Sequence, residues 1–440
     1  MILGNYKVGL LLATFCLCHH HVFARSGKVV MTAVDDLDED SSTTYKTAGD
    51  KSANAALGLA ASTVLPTLPV VQTTACTDDG TNVSKTLVFT SVIFRHGDKF
   101  KEEGEFFSKD PYKIEDPFWL PFGLGQLRNM GKQRMYWLGQ FLRMRYGAGF
   151  LKEEYFYRDI LAVSADTDKN LMSAQLVLLG LFPPRGVNIW NDNVGRFFQP
   201  IPVHGIQADL DNILHQIPCI PYYDQLKKVF VEDLAELNAK HKDLFLEVSK
   251  NSGNNITNLG DLWQIYNIIR IEFENGRALP EWVKPLYPAK IKALALTTYD
   301  YFVKTDFMKT IRSGPLISIL LDDMALKLNK TMDPDYKIKL YSTTDITLMS
   351  LLKTLGVDEK EMEPEYGACI MIEMHKIQEK YFIKVQYMDN GFKRYCKPLK
   401  FKGYDSPSPY LIPYEKFVTV NSKYQINEEE WYKKCSIPYC

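Results

Sequence analysis

The sequence predicts an α/β protein with a mostly parallel, twisted sheet flanked by helices and an α-helical cap insertion. Short apolar segments rich in β-branched residues alternate with longer segments that have helical periodicity. Residues 200–310 lose the strand pattern and contain helical runs, which indicates the cap. The chain has 440 residues, 46% of them hydrophobic and 24% charged, which is enough for a large core with an insertion.

The N-terminus has the features of a secretory signal peptide over residues 1–24. Lys7 supplies the positive charge, residues 8–18 form a short apolar segment, and Val22-Phe23-Ala24 fits the small-residue rule for cleavage. The apolar segment is too short for a membrane anchor. We therefore expect a secreted mature chain.

Residues 25–85 differ in composition from the rest of the chain. They are rich in Ala, Thr and Ser, include an acidic cluster at 35–40, and contain Tyr45 as their one aromatic residue. Such a segment buries little apolar surface and is predicted to be disordered. It is either a pro-segment or tether, or simply a solvated tail. The folded domain is expected over 86–435, with residues 436–440 as a C-terminal tail.

The strands and helices follow from hydrophobic periodicity. In the helix predicted over 130–146, Met135, Leu138 and Phe141 share one face. Residues 368–375 and 380–388 alternate in polarity across a short turn, which is typical of a hairpin. The other predicted strands are 86–94, 160–164 and 338–342, and the other predicted helices are 170–181, 222–238, 259–275, 316–328 and 345–355.

A candidate nucleophile follows the first predicted strand. The apolar run ends abruptly in Arg95-His96-Gly97, with Lys99 two residues further on. Ligand sites in α/β proteins lie just beyond the carboxyl ends of such strands. A histidine between cations suits attack on a phosphate dianion.

Composition argues against several other functions. The net charge is −1, and nothing indicates a nucleic-acid-binding surface. No apolar run after the signal segment reaches the length of a membrane span. No motif has the spacing of metal ligands, so we expect neither a metal nor a cofactor.

Two further features agree with export. The chain has N-glycosylation sequons at Asn82, Asn255 and Asn329, and an even number of cysteines follows the signal peptide.

The sequence resembles the histidine acid phosphatases, and is closest in wording to the secreted and venom forms of insects. Residues 94–99 (Phe-Arg-His-Gly-Asp-Lys) resemble the RHGxRxP signature of that family. Four further blocks follow in the order of the family, at 121–127, 164–174, 200–204 and 341–345. The resemblance covers about residues 86–435.

The resemblance implies the histidine phosphatase (phosphoglycerate mutase-like) fold and a two-step phosphomonoesterase without a metal. His96 is then the nucleophile that becomes phosphohistidine, and Asp345 is the proton donor to the leaving group. Arg95, Lys99, Lys169 and Thr344 occupy the phosphate-binding positions of the family. The expected partner is phosphate or a small phosphorylated molecule, and related enzymes are often homodimers.

The sequence departs from the family at three of the six pocket positions. Lys99 and Lys169 replace arginines, and Thr344 replaces the histidine before the aspartate; in addition, Lys101 replaces the proline of the signature. Lysine keeps its charge but cannot make the two-pronged contact of a guanidinium group. The combined loss is on the order of 4–8 kcal/mol of transition-state stabilisation.

Two functions remain open after these departures. One is a secreted acid phosphatase with strongly reduced activity. The other is an inactive pseudophosphatase that binds phosphate or an anionic ligand as a secreted effector, venom or salivary component. Delivery to a lysosome-like acidic compartment is an alternative to secretion.

The resemblance also implies disulfides. Cys219 and Cys435 align with a family bridge between the cap and the C-terminal segment. Cys369 occupies a half-cystine position whose usual partner is absent, so pairing with Cys396 is predicted, which leaves Cys76 for Cys440.

Overall fold

The computed structural model describes residues 83–438, except 121, 148, 358–361, 393–394 and 405–407. The predicted signal peptide and nearly all of the 25–85 segment lie outside the described residues, as do Asn82, Cys76 and Cys440. Within the described part of the chain, no helix is both long and apolar enough to cross a bilayer.

Eight strands form one mixed sheet in the described residues, in the order β3-β2-β4-β1-β5-β6-β7, with β8 beside β6. They are β1 (Leu87–Arg95), β2 (Ile160–Ala165), β3 (His204–Ile206), β4 (Ile338–Thr343), β5 (Cys369–Ile377), β6 (Lys380–Met388), β7 (Lys397–Pro398) and β8 (Ile412–Pro413). The strands β3, β2, β4 and β1 are parallel to one another, and the remaining strands pair antiparallel. The predicted α/β class is confirmed, and parallel pairing is confined to one half of the sheet.

Helices accompany the sheet along most of the described chain. They are α1 (Val83–Thr86), α2 (Asn129–Tyr146), α3 (Asp168–Leu181), α4 (Ile220–Lys228), α5 (Ala235–Lys240), α6 (Lys242–Ser252), α7 (Leu259–Glu274), α8 (Lys292–Leu296), α9 (Thr298–Tyr301), α10 (Asp306–Leu328), α11 (Asp345–Thr354), α12 (Tyr414–Asn421) and α13 (Glu428–Lys434). The run predicted as one helix over 222–238 is divided between α4 and α5 by a π-turn at Val229–Asp233.

The central strand β1 is buried on both faces because its side chains alternate between two cores. Phe89 and Ile93 belong to the core that includes α10 and α11. Val92 and Phe94 belong to the core formed with α2 and α3. The sheet is therefore covered by helices on both sides, which explains why β1 reads as a continuous apolar run.

Two helices in the stretch predicted to form the cap share a third apolar core. Phe245 and Val248 of α6 pack with Leu262 and Ile265 of α7 in a third cluster of buried apolar residues. Except for Phe107, which follows β1, the buried residues of this cluster lie in the chain between β3 and β4. All of α4–α9 falls within the stretch predicted to form the cap.

The predicted hairpin is present as β5 and β6, paired in register from Cys369 with Met388 to Ile377 with Lys380. Two residues connect the strands, Gln378 and Glu379, and both have positive φ, 48° and 62°. Two consecutive left-handed residues match the twist of a two-residue hairpin, although glycine or asparagine is more usual there.

Helix α10 starts ten residues before the predicted start at 316. Its interior contains Pro315, which lacks the N–H that would bond to the carbonyl of Ile311 four residues earlier. That carbonyl accepts a hydrogen bond from the Trp431 indole at 3.0 Å instead. Thr305 caps the start of the helix by accepting from the backbone N–H of Met308. A tertiary hydrogen bond thus satisfies the carbonyl that Pro315 leaves unpaired, so the helix continues through a residue that usually ends one.

Candidate active site

The carboxyl ends of β1 and β4 bring the predicted nucleophile and acid to the same edge of the sheet. Arg95 is in register with Thr343, and the backbone N–H of His96 donates to the Thr343 carbonyl at 3.1 Å. His96 therefore leaves β1 where Thr344 and Asp345 leave β4. This placement follows from parallel pairing, which aligns the carboxyl ends of neighbouring strands.

The turn after β1 packs directly on the first turn of α2. A Cβ atom at Gly97 would lie 2.6 Å from the Gly131 carbonyl oxygen, and one at Gly131 would lie 2.3 Å from the Asp98 carbonyl oxygen. Such backbone-to-backbone contact requires glycine at both positions. The Gly97 N–H also donates to Ser173 Oγ of α3 at 3.1 Å. The residue next to His96 is thus held by both neighbouring helices.

His96 is buried, with 2% of its surface exposed. Its Nδ1 lies 2.9 Å from the Gly97 carbonyl, which can only accept, so Nδ1 carries the proton in the neutral ring. Burial, together with the positive charges of Lys169 and Arg95, holds the pKa of His96 well below its usual value. The ring is therefore neutral at neutral pH, with the lone pair on Nε2.

Arg95 and Asp345 form an ion pair next to this ring, with 3.4 Å between the guanidinium Nη2 and Oδ2. Arg95 Nη1 also donates to the Pro364 carbonyl at 2.6 Å. The Tyr366 ring lies 4.3 Å from the centre of the Arg95 guanidinium and 5.7 Å from the His96 ring. Tyr366 thus links the candidate nucleophile to the Arg95–Asp345 pair.

The Asp345 carboxylate has a further donor, the Tyr299 hydroxyl, at 2.8 Å from Oδ2. Burial favours the protonated acid, but the charge of Arg95 and the Tyr299 hydrogen bond outweigh it and lower the pKa of Asp345. The backbone N–H of Ile346 donates to the other oxygen at 3.0 Å. Asp345 is therefore a carboxylate at neutral pH and becomes an acid only in more acidic solution.

Lys99 and Lys169 are both buried, with 5% and 7% of their surfaces exposed. Each is paired with an acidic residue of the turn after β1. Lys169 Nζ lies 2.7 Å from Glu102 Oε1, and Lys99 Nζ lies 3.3 Å from the same oxygen. Lys99 also contacts Glu105 Oε2 at 2.5 Å. The two candidate phosphate-binding lysines thus already have carboxylate partners.

Thr344 lies between β4 and α11, and its hydroxyl is 3.4 Å from that of Thr347. It precedes the first residue of α11, yet its side chain makes no capping hydrogen bond to the helix backbone.

The structure explains why a lysine stands at position 101, where the family signature has proline. Lys101 is fully buried and pairs with Asp110 at 2.6 Å and with Glu272 at 2.5 Å.

Sequence patterns did not single out Tyr299, Tyr366, Glu102 or Arg270 as site residues. Arg270, in α7, pairs with Glu274 and Glu363, and its charge contributes to the lowered pKa of Asp345. Of these, only Glu102 is close in sequence to the His96 motif. The others come from α7, α9 and the loop before β5, and no local motif marks them.

The structure contains the bridge Cys219–Cys435. The predicted pair Cys369–Cys396 is wrong. Cys369 is a free thiol buried inside β5, whereas Cys396 is in a disulfide whose partner lies outside the described residues. Cys369 belongs to the apolar core between β1 and α2, and burial raises the pKa of its thiol. The predicted pair Cys76–Cys440 lies outside the described residues.

Among the residues that the structure describes, no group of three His, Cys, Asp or Glu side chains has the arrangement of a metal site. The sequon residues Asn255 and Asn329 are exposed.

Several known proteins are similar to this chain. Residues 76–388 match the family described as the histidine phosphatase superfamily (branch 2). The chain is 33% identical over 300 residues to a venom acid phosphatase of Apis mellifera, covering 68% of this chain and 76% of that protein. It is 29% identical over 364 residues to the lysosomal acid phosphatase of Rattus norvegicus, covering 80% and 81%.

A solved structure shares the fold. The Hafnia alvei phytase in complex with myo-inositol hexakis sulphate superimposes with a TM-score of 0.58 at 14% identity, covering 80% of this chain and 98% of the phytase. With the family match over residues 76–388, this chain belongs to branch 2 of the histidine phosphatase superfamily.

Proposed function

We propose that this protein is a secreted acid phosphatase-like protein that hydrolyses phosphate monoesters through a phosphohistidine, with strongly reduced activity. The observation that carries the proposal is the state of His96. It is a buried, neutral imidazole whose Nδ1 proton is bound by the Gly97 carbonyl, which leaves Nε2 as the nucleophilic atom.

In the first step, Nε2 of His96 attacks phosphorus, and the bond from phosphorus to the ester oxygen breaks. The departing oxygen takes the proton of the Asp345 carboxyl group. In the second step, water attacks the phosphohistidine, Asp345 accepts a proton, and His96 and inorganic phosphate are released. Arg95, 3.4 Å from Asp345, supplies positive charge to the transferring phosphoryl group.

Two features support reduced activity. The Thr344 hydroxyl is uncharged and cannot act as a proton donor beside Asp345, as the histidine of the family could. The ammonium groups of Lys99 and Lys169 are engaged by Glu102 and Glu105, so they are less available to an incoming phosphate. These same pairs favour the second candidate, a pseudophosphatase that binds phosphate or another anionic ligand without turnover.

Turnover of a chromogenic aryl phosphate at acidic pH distinguishes the two. The proposal expects slow hydrolysis that disappears in His96→Ala and persists in His204→Ala, whose side chain is exposed on β3. A folded protein without turnover at high concentration, but with saturable phosphate binding that Arg95→Ala weakens, would favour the pseudophosphatase.

For localisation, we propose secretion, with a lysosome-like acidic compartment as the alternative. The signal-like residues 1–24, the exposed sequons at Asn255 and Asn329, and similarity to a venom and a lysosomal acid phosphatase support it. Expression in insect cells, followed by N-terminal sequencing and treatment with a glycosidase, tests both cleavage near Arg25 and glycosylation.

We also propose a homodimer. Exposed apolar side chains are concentrated in the segment that connects α3 to β3. They include Val187, Trp190 and Phe197, with 86%, 57% and 78% of their surfaces exposed. A second copy that covers this segment would remove these side chains from water. Light scattering should give twice the mass of the chain, and Trp190→Ser with Phe197→Ser should give the monomer mass.

A further inference from the structure

The two candidate phosphate-binding lysines already hold an anion that the chain itself supplies. The ammonium groups of Lys99 and Lys169 both approach one oxygen, Oε1 of Glu102, at 3.3 and 2.7 Å. The lysines come from different elements, the turn after β1 and the start of α3. Two buried cations that converge on one oxygen form an anion-binding arrangement, and here a carboxylate occupies it.

The same two cations act on the candidate nucleophile. The charges of Lys169 and Lys99 both contribute to the lowered pKa of His96. The geometry links these cations to His96: the Gly97 N–H donates to Ser173 Oγ at 3.1 Å, and that hydroxyl donates to the Lys169 carbonyl at 2.6 Å. The Glu102 carboxylate is therefore bound close to the residue that would attack a phosphoryl group. Glu102 itself keeps the charge that this role requires. Its burial would raise its pKa, but Lys99 and Lys169 lower it to about 2.

The segment that carries Glu102 is a surface turn rather than part of the core. Its backbone closes from Glu105 N to the Glu102 carbonyl at 2.9 Å, and Glu103 and Gly104 at its tip are exposed. The Glu102 side chain remains 43% exposed. Because the side chain is partly exposed, we expect that the carboxylate can leave the lysines without unpacking of the core.

We propose that Glu102 is an internal competitor for the phosphate site and thereby sets the affinity of the pocket for phosphate and phosphate monoesters. The ligand class rests on the proposed function, but the competition does not depend on turnover. Glu105 pairs with Lys99 separately, so a phosphate group takes the position that the two lysines share only after it has displaced the Glu102 carboxylate. The affinity measured for phosphate is therefore lower than it would be without the charge of Glu102.

The test compares Glu102→Gln with Glu103→Gln in the full chain. Glutamine keeps the size of the side chain and removes the charge. Glu103 is the matched control because it is the adjacent acid, is exposed, and has no ion pair among the described residues. Inorganic phosphate is titrated calorimetrically at pH 7 into the wild type and both variants, after thermal unfolding has shown that each is folded.

Glu102→Gln is expected to bind phosphate roughly 10- to 100-fold more tightly, the range for loss of one competing charged hydrogen bond. Glu103→Gln should stay within about twofold of the wild type. Equal or weaker binding by Glu102→Gln would overturn the inference, because it would make Glu102 a residue that holds the lysines in place.

A second variant tests competition directly. In Glu102→Ala, added acetate is expected to weaken phosphate binding, since a free carboxylate takes the vacated position; no effect of acetate would count against the inference. Binding is measured without turnover, so the two proposals fail separately. Tighter phosphate binding by Glu102→Gln with no hydrolysis in any variant would support the competitor role of Glu102 and contradict the proposed phosphatase activity. Hydrolysis together with unchanged phosphate binding by Glu102→Gln would support the phosphatase activity and contradict the competitor role.

Discussion

The Tyr299 hydroxyl donates to the Asp345 carboxylate at 2.8 Å, across 46 residues of sequence. Tyr299 lies in the short helix α9, within the stretch predicted to form the cap, and Asp345 begins the helix that follows β4. A segment distant in sequence therefore contributes to the protonation state of the candidate acid, because a donor to the carboxylate stabilises its charged form.

Tyr299→Phe should raise the pKa of Asp345, since the carboxylate loses one of its donors. If protonated Asp345 serves the leaving group, the fall in kcat with rising pH should move upward by roughly 0.5–1 pH unit. A pH–rate profile with an aryl phosphate measures it. Tyr301→Phe, on the same helix, should leave the profile unchanged. An unshifted profile in Tyr299→Phe would show that another group limits the rate.

Thr344→His should increase turnover by roughly 10²–10³-fold, the effect of one well-placed donor at the developing charge. Adding Lys99→Arg and Lys169→Arg should contribute less than this, because both lysines are buried and the new guanidinium groups would still face Glu102 and Glu105. Steady-state kinetics measures the gain. The same triple variant carrying His96→Ala must remain inactive; activity there would indicate a different nucleophile.

The contribution of Glu272 to stability should fall as pH rises from about 4.5 to about 7. This carboxyl is buried with Lys101 and Asp110, and burial raises its pKa from the ordinary value of 4.5 to about 7. Between these values the folded state binds the proton of Glu272 and the unfolded state does not, so the contribution of this group is full below pH 4.5 and is lost as pH rises through 7.

Chemical denaturation at pH 4.5 and pH 8 measures this contribution. Glu272→Gln should reduce the difference between the two pH values, whereas Glu247→Gln, at an exposed position of α6, should not. An identical pH dependence in Glu272→Gln and the wild type would refute the assignment.

Arg145→Ala should destabilise the fold by about 3–5 kcal/mol, because it leaves the fully buried Glu373 carboxylate without its counter-ion. Arg145 contacts both oxygens of Glu373, at 2.6 and 2.8 Å, and so links α2 to β5. Urea denaturation measures the loss. Arg185→Ala removes a surface pair with Glu153 and should change stability by less than about 1 kcal/mol.

The sequence by itself predicted the elements that carry the site. The β1 strand, the α2, α3 and α11 helices and the β5–β6 hairpin appear with ends close to those expected, since each has a strong hydrophobic period or a clear turn. Arg95 and His96 could be named because they follow the end of an apolar strand, and Asp345 because the family resemblance implies it; parallel pairing of β1 and β4 brings these residues together.

Only the tertiary structure decided which groups surround these residues. Tyr299, Tyr366 and Arg270 reach the site from distant segments, and Glu102 reaches the lysines through the shape of one turn. The Cys369 thiol, predicted to be bridged, stays free in the core, and Pro315 stays within a helix because Trp431 satisfies the carbonyl it leaves unpaired. Hydrophobic periodicity indicates which face of a helix or strand is buried, but it does not indicate which distant residues cover that face. Contacts between segments far apart in the chain depend on packing of the whole fold, which no local pattern records.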